Sequence, residues 1–270
     1  MSAALPFRML EKPWGQDVLP APFMAPPGQR IGEVWFETPP ALPQLLVKYI
    51  FTSEKLSVQV HPSDAQTLAA GMGRLGKEEC WFIVDAEPDA LLGIGFERHI
   101  SSPDMRAAAL DGSIESLLTW HKVQPGDFFY IPPGTVHAIG AGISLVEIQQ
   151  NTDTTYRLYD YGRPRPLHLS EGIGVANGAP YDDPRRRRMF ERGEEVLVEG
   201  PLFRLVRYDG ALSENVRERF NGQPLLVIPL VDDAVIHGEA IAPGACALAL
   251  SVADLRLGPT SRGLVAQPLA

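Results

Sequence analysis

Hydrophobic and polar positions alternate in short runs through most of this chain, and glycine, proline or charged turns separate the runs. From Arg30 the segments IGEVWFE, LLVKYIFTSE and KLSVQVHP follow one another in this way, as antiparallel strands do. In KLSVQVHP a period of two puts Ser57, Gln59 and His61 on one face and Leu56, Val58 and Val60 on the other. Three polar side chains on one strand face require a reason beyond folding. Strand patterns resume in ECWFIVDA and ALLGIGF, then in FFYIP, HAIGAGISLVEIQQNT and TTYRLYDYG.

Two helical segments interrupt this series. Pro62-Ser63-Asp64 opens a short helix through Ala65 to Ala70, with Ser63 or Asp64 as N-cap, and Gly71 and Gly73 end it. SSPDMRAAALDGSIESLLTW reads as an amphipathic insert that starts at Ser101 or Ser102, just before Pro103. From about Arg165 to Glu195 the composition shifts to Pro, Gly, Asp and Arg, which reads as a linker. A second strand series follows in EVLVEG, FRLVRYDG, PLLVIPL, AVIHGEAI, ACALALS and DLRLG, with His237 alone and without a partner at ligand spacing. The pattern predicts an all-β chain with a few short helical inserts. It divides into a first β domain over 1–168, a linker over 169–194, and a second β domain over 195–270.

Composition agrees with many short strands, since 25 prolines and 25 glycines among 270 residues supply frequent turns. A formal net charge of −9 argues against a general nucleic-acid binder, which needs a basic face for phosphates. Arg185-Arg186-Arg187-Arg188 is the single basic run, and it reads as a solvated connector without assigned function. Cys80 and Cys246 are far apart, so neither a disulfide framework nor a CxxC zinc site is indicated. No positively charged start leads into an apolar segment, and no apolar run approaches the ~18 residues of a membrane span. A soluble, cytoplasmic protein without membrane partners is expected.

The chemistry concentrates in three places. Gly126 to His137, GDFFYIPPGTVH, has the spacing G-x5-P-x-G-x2-H and presents one histidine on an inward-facing strand. This spacing resembles the second signature of the cupin barrels, which implies a double cupin, jelly-roll fold for the whole chain. Upstream lie His61 and the segment Gly76-Lys77-Glu78-Glu79-Cys80-Trp81. Histidine nitrogens and a carboxylate form a divalent-metal set that leaves a position open, and His61, Glu79 and His137 supply it. Gln59 stands where most cupins carry a first histidine and offers a weaker oxygen as fourth ligand. Either Glu78 or Glu79 could turn inward with a one-residue slip; Glu79 shares its face with Lys77, Trp81 and Ile83. His99, His121 and His168 stand without partners and read as structural or exposed.

With these motifs in place the chain resembles the compact bacterial form of the zinc-dependent, type I phosphomannose isomerases. The likeness runs through Lys12-Pro13-Trp14-Gly15, Leu56 to Pro62, Gly76 to Trp81, the His137 segment, and Glu147-Ile148-Gln149-Gln150-Asn151-Thr152-Asp153-Thr154-Thr155-Tyr156-Arg157-Leu158-Tyr159-Asp160. The resemblance implies Gln59, His61, Glu79 and His137 as ligands of one divalent ion per chain, zinc first, and Arg157 as the active-site arginine. It further implies Ser57, Lys77, Glu147 and Arg163 as pocket residues, a sugar phosphate as partner, and a monomer or homodimer.

Isomerising an aldose to a ketose moves a proton between C1 and C2, so it needs a base, a charge stabiliser and an anchor for the phosphate. Arg157 and Arg163 offer forked donors and Ser57 a hydroxyl. Glu147, Lys77 or a water on the ion remain open as the base. A salt bridge from Arg157 to Asp153 or Asp160 is the purely structural alternative for that arginine. A non-catalytic sugar-phosphate sensor and an iron-dependent oxygenase are the competing functions, because the fold does not fix the activity.

Overall fold

The computed structural model describes residues 3–188, 193–220 and 222–269. The first strand series forms β1 (Phe7–Gln16), β2 (Ile31–Phe36), β3 (Leu45–Thr52), β4 (Val58–Val60), β5 (Glu79–Ala86), β6 (Leu91–Phe96), β7 (Leu118–Lys122), β8 (Asp127–Ile131), β9 (His137–Ile139), β10 (Ile143–Gln150), β11 (Tyr156–Tyr159) and β12 (Arg187–Arg188). They build a seven-stranded sheet, β1-β2-β3-β10-β5-β8-β12, and a five-stranded sheet, β11-β4-β9-β6-β7. Pairings within both sheets are antiparallel. The segment HAIGAGISLVEIQQ is two strands rather than one. Gly142 takes φ +73, a left-handed conformation open to glycine, and turns the chain from the five-stranded sheet into the seven-stranded one.

The sheets face each other across an interior that includes Ile50, Trp81, Ile83, Leu92, Phe129 and Ile139. Fully burying an aliphatic or aromatic side chain of this size contributes about 1.5–3 kcal/mol, so these residues pin the sheet register and hold the polar groups between them. Both faces of the seven-stranded sheet are covered, which explains why β3 reads as a nearly unbroken apolar run. Val47, Tyr49 and Phe51 point outward to a second core, while Ile50 points to the interior.

Of the helices of this half, α1 (Asp64–Ala69), α2 (Ser102–Asp111), α3 (Ile114–Leu117) and α4 (Leu169–Val175), the last three cover the outer face of the five-stranded sheet. Ser63 caps α1 in a reciprocal box with Gln66, and Ser101 caps α2 ahead of Pro103. Met105, Ala108 and Ala109 of α2 pack with Ile114 against Val58, Val60 and Phe96. Segments that read as part of the connector, α4 and β12, pack on this first half, since α4 joins that same cluster and β12 pairs with β8. Residues 189–192 of the expected linker lie outside the described residues.

The second series forms β13 (Glu195–Glu199), β14 (Phe203–Asp209), α5 (Glu214–Arg219), β15 (Leu225–Val231), β16 (Ala234–Ile236), β17 (Glu239–Ile241), β18 (Ala247–Ala249), β19 (Leu255–Leu257) and β20 (Arg262–Pro268). They make a five-stranded sheet, β13-β14-β20-β15-β18, and a three-stranded sheet, β17-β16-β19. Phe203, Leu205, Leu226 and Leu264 pack with Tyr49, Phe51, Cys80 and Tyr130, so the second half covers the outer face of the seven-stranded sheet.

Candidate metal centre and active site

Three strands bring the candidate ligands together. Gln59 on β4 lies opposite His137 on β9, His61 follows β4 directly, and Glu79 opens β5 in the facing sheet. One donor atom from each of His61, Glu79 and His137 lies within 4.8 Å of the others, and all three residues are buried. Each histidine Nε2 is 3.5 Å from Glu79 Oε1. Donors arranged tetrahedrally at zinc distances of roughly 2.0–2.2 Å stand about 3.4 Å apart, so this spacing fits.

Protonation also suits metal binding. His61 Nδ1 is 3.0 Å from the Thr154 carbonyl and His137 Nδ1 is 3.0 Å from the Thr135 carbonyl. A carbonyl only accepts, so each Nδ1 carries the proton and each Nε2 keeps its lone pair. Burial, aided by the Lys77 ammonium and opposed by Glu79, pushes the His61 pKa down to about 4; burial lowers His137 as well. Burial alone would raise the Glu79 pKa, but Lys77 and the two histidines hold it well below the usual carboxylate range.

Lys77 Nζ is 2.8 Å from Glu79 Oε2 and 3.4 Å from His61 Nε2. That ammonium satisfies Oε2, whereas the buried Oε1 faces the two Nε2 lone pairs at 3.5 Å and lacks a hydrogen-bond donor. Such an orphaned oxygen is costly, and a cation between it and the imidazoles would satisfy it. Gln59 turns its amide nitrogen toward His137 Nε2 at 3.2 Å, while its Oε1 accepts from Ser57 Oγ at 3.2 Å. A half-turn of the amide would aim Oε1 at the group and let Ser57 accept instead. Two imidazoles, a carboxylate and an amide oxygen fit a single zinc ion.

A ladder of buried charges continues from Lys77. Glu147 Oε1 is 3.8 Å from Lys77 Nζ and 3.1 Å from Lys48 Nζ, and Glu147 Oε2 accepts from Trp81 Nε1 at 3.1 Å. Lys48 also lies 4.1 Å above the Trp35 ring, and Glu33 accepts from Trp35 Nε1 and pairs with Lys12 at 2.9 Å. Alternating signs make this burial tolerable. Burial alone would lower the Lys77 pKa, but Glu147 and Glu79 push it up, so Lys77 keeps its proton. The ladder borders a cavity of about 120 Å³ whose mouth carries Ser57, Asp153, Thr155, Arg157 and Arg165.

No family model matches the chain. A mannose-6-phosphate isomerase of Bacillus subtilis (strain 168) is 37% identical over 211 residues, which are 74% of this chain and 65% of that relative. The crystal structure of the mannose 6-phosphate isomerase from Bacillus subtilis superposes with a TM-score of 0.80 at 25% identity, covering 98% of each chain. In sequence and in fold the chain is similar to mannose-6-phosphate isomerases. A zinc-bound mannose 6-phosphate isomerase structure, at 15% identity, shares the fold with a TM-score of 0.72 over 98% of each chain. The all-β, double cupin architecture is thus shared with these isomerases. This chain spans a little under two thirds of the length of the curated relatives it matches.

Of the residues that the type I isomerase resemblance implies, the pocket residues Ser57, Lys77 and Glu147, the expected ligand Gln59 and the active-site arginine Arg157 border the cavity. Glu79, and not Glu78, joins the histidines. Among the described residues Arg157 has no ion-pair partner, because Asp160 binds Arg163 and Arg165 instead. Its backbone N–H donates to His168 Nδ1 at 3.2 Å, a supporting role for that histidine.

Arg163, expected to line the substrate pocket, is not among the residues that line this cavity. Glu54 at 3.0 Å, the Lys55 carbonyl at 2.9 Å and Asp160 at 3.2 Å hold its guanidinium at the adjoining turn. Arg165, which reads as the first linker residue, borders the cavity instead. Sequence reasoning also missed Lys48, Glu33 and Lys12. A lysine within the apolar run LLVKYIFT was the available signal, since an unpartnered charge there would not fold.

Proposed function

We propose that this chain is a metal-dependent aldose-ketose isomerase that interconverts mannose 6-phosphate and fructose 6-phosphate through an enediolate. One observation carries the reading: the buried His61-Glu79-His137 group adjoins, through Lys77 at 2.8 Å from Glu79 and Gln59 at 3.2 Å from His137, a polar cavity that Gln59, Lys77, Glu147 and Arg157 line. Similarity in sequence and fold to mannose-6-phosphate isomerases supports the same conclusion.

Gln59, His61, Glu79 and His137 would hold one zinc ion, as the zinc-bound neighbour does with its own residues. Bound there, zinc supplies Lewis-acid stabilisation of negative charge on the sugar oxygens at C1 and C2. Lys77 retains its proton and therefore lines the cavity as a fixed cation beside the ligand group. Glu147 is the carboxylate left to move the proton between C1 and C2, oriented by Trp81 Nε1 and Lys48. Arg157, free of ion pairs among the described residues, offers its fork to the substrate's anionic groups, and Ser57 its hydroxyl.

Residues 1–168 serve as the catalytic domain, 169–194 as its connection, and 195–270 as a structural domain covering the seven-stranded sheet. Among the described residues no helix is long and apolar enough to cross a membrane. Two buried free thiols, Cys80 and Cys246, suit a reducing compartment, and the proposed setting is the cytoplasm, with the protein as monomer or homodimer. A coupled assay on mannose 6-phosphate, with free mannose alongside, tests the activity. Turnover of the phosphorylated sugar is expected; its absence with zinc-loaded protein would reject the proposal.

A further inference from the structure

A run of alternating charges leads from the surface to the mouth of the cavity. Arg30 pairs with Glu54 at 3.0 Å, Glu54 with Arg163 at 3.0 Å, Arg163 with Asp160 at 3.2 Å, and Asp160 with Arg165 at 2.6 Å. Three guanidiniums share two carboxylates, so positive charge is left over, and the run ends on the residue that borders the cavity.

Arg165 is held in a way that suits recognition. Buried Asp160 accepts from its Nε and its Nη2, each at 2.6 Å, which fixes the guanidinium plane and leaves Nη1 without a partner among the described residues. Pro164 and Pro166 flank it with constrained φ, and its backbone N–H donates to the Arg163 carbonyl at 2.8 Å. Its side chain is 25% exposed, against 14% for the tied-down Arg163. Arg157 borders the same cavity, without an ion pair among the described residues. Two guanidiniums at one small polar cavity, one clamped and one without such a pair, match a tetrahedral oxyanion with several acceptor oxygens.

We propose that Arg165, oriented by Asp160, recognises the phosphomonoester of the substrate and sets the preference for phosphorylated over free sugar. This rests on the isomerase reading above. Arg163 is the tie that anchors Asp160 and the turn, and Arg165 is the arm that reaches the ligand.

The test uses zinc-loaded wild type and its Arg165→Ala and Arg165→Lys variants, with inorganic phosphate as probe. Arg165→Ala is expected to raise KM for mannose 6-phosphate at least about tenfold and to weaken competitive inhibition by phosphate by a similar factor, with zinc content retained. Arg165→Lys keeps the charge but loses the fork, and should recover part of that affinity. KM and phosphate inhibition unchanged in Arg165→Ala would overturn the proposal, as would a loss confined to kcat. Calorimetry with phosphate alone separates the two claims. Phosphate binding that is lost in Arg165→Ala, in a wild type with no turnover of sugar phosphate, would uphold the anion site and overturn the isomerase reading only.

Discussion

His61 and His137 stand ring to ring, their centroids 4.9 Å apart, each with Nδ1 held 3.0 Å from a backbone carbonyl. Those carbonyls belong to Thr154 and Thr135, on different loops, so each tautomer is set by the backbone rather than by solvent. Both Nε2 atoms therefore converge on Glu79 as lone pairs. The site is organised to receive a cation before one arrives.

Removing either imidazole should remove the metal and the activity together. His61→Ala and His137→Ala are each expected to lose bound zinc and to lower turnover by more than about a hundredfold. Metal analysis alongside the rate checks this, and a variant with full zinc and normal turnover would argue against the ligand assignment.

Arg157→Ala should separate the two properties. Its side chain has no ion pair among the described residues and does not belong to the ligand group, so zinc content should stay at the wild-type level. Turnover should fall by roughly 10²–10³, as when one preorganised donor to developing charge is removed. Near-full rate would show that Arg157 has no part in the chemistry.

Glu33→Gln should destabilise the fold in a pH-dependent way. Burial would raise the Glu33 pKa, but Lys48, Lys12 and the Lys12 and Trp35 hydrogen bonds hold it below the usual value. A depressed carboxylate pKa gives stability that is present above the unfolded-state pKa and lost as pH falls through the folded one. Denaturation curves should show a gap of roughly 2 kcal/mol at pH 7 that closes as the carboxylate protonates in acid. A gap independent of pH would show that packing, not charge, explains the loss.

Gly76→Ala tests the backbone that carries Lys77 and Glu79 to the site. A Cβ at Gly76 would meet the Pro62 carbonyl oxygen and the Ser63 carbonyl carbon, each at 2.4 Å, and Asp64 N at 2.6 Å. All are backbone atoms, so the strand approach must shift, at a cost of about 1–3 kcal/mol. Lys77 N–H also donates to Pro62 O at 2.9 Å, which should couple this shift to weaker zinc binding. Unchanged melting and zinc affinity would contradict the account.

Local pattern made much of this legible. The period of two placed Ser57 and Gln59 on the polar face, and the capping serines placed α1 and α2, because strand alternation and N-caps are short-range effects. The split between β9 and β10 was less visible, since it depends on one left-handed glycine inside an apolar stretch. Lys48 was not legible as a site residue because its partner Glu147 is on a distant strand, and the two meet only through the pairing of β3 with β10. Arg163 and Arg165 lie two residues apart, and competition for Asp160 and Glu54 decides which one borders the cavity. Such competition is tertiary and leaves no mark in spacing.

The central claim is that the His61-Glu79-His137 group holds the metal on which isomerisation depends. The most direct test measures conversion of mannose 6-phosphate to fructose 6-phosphate by protein stripped with a chelator, then supplied with one equivalent of zinc. Loss of turnover on stripping and its return with one equivalent are the expected results; undiminished turnover by fully metal-free protein would contradict the account.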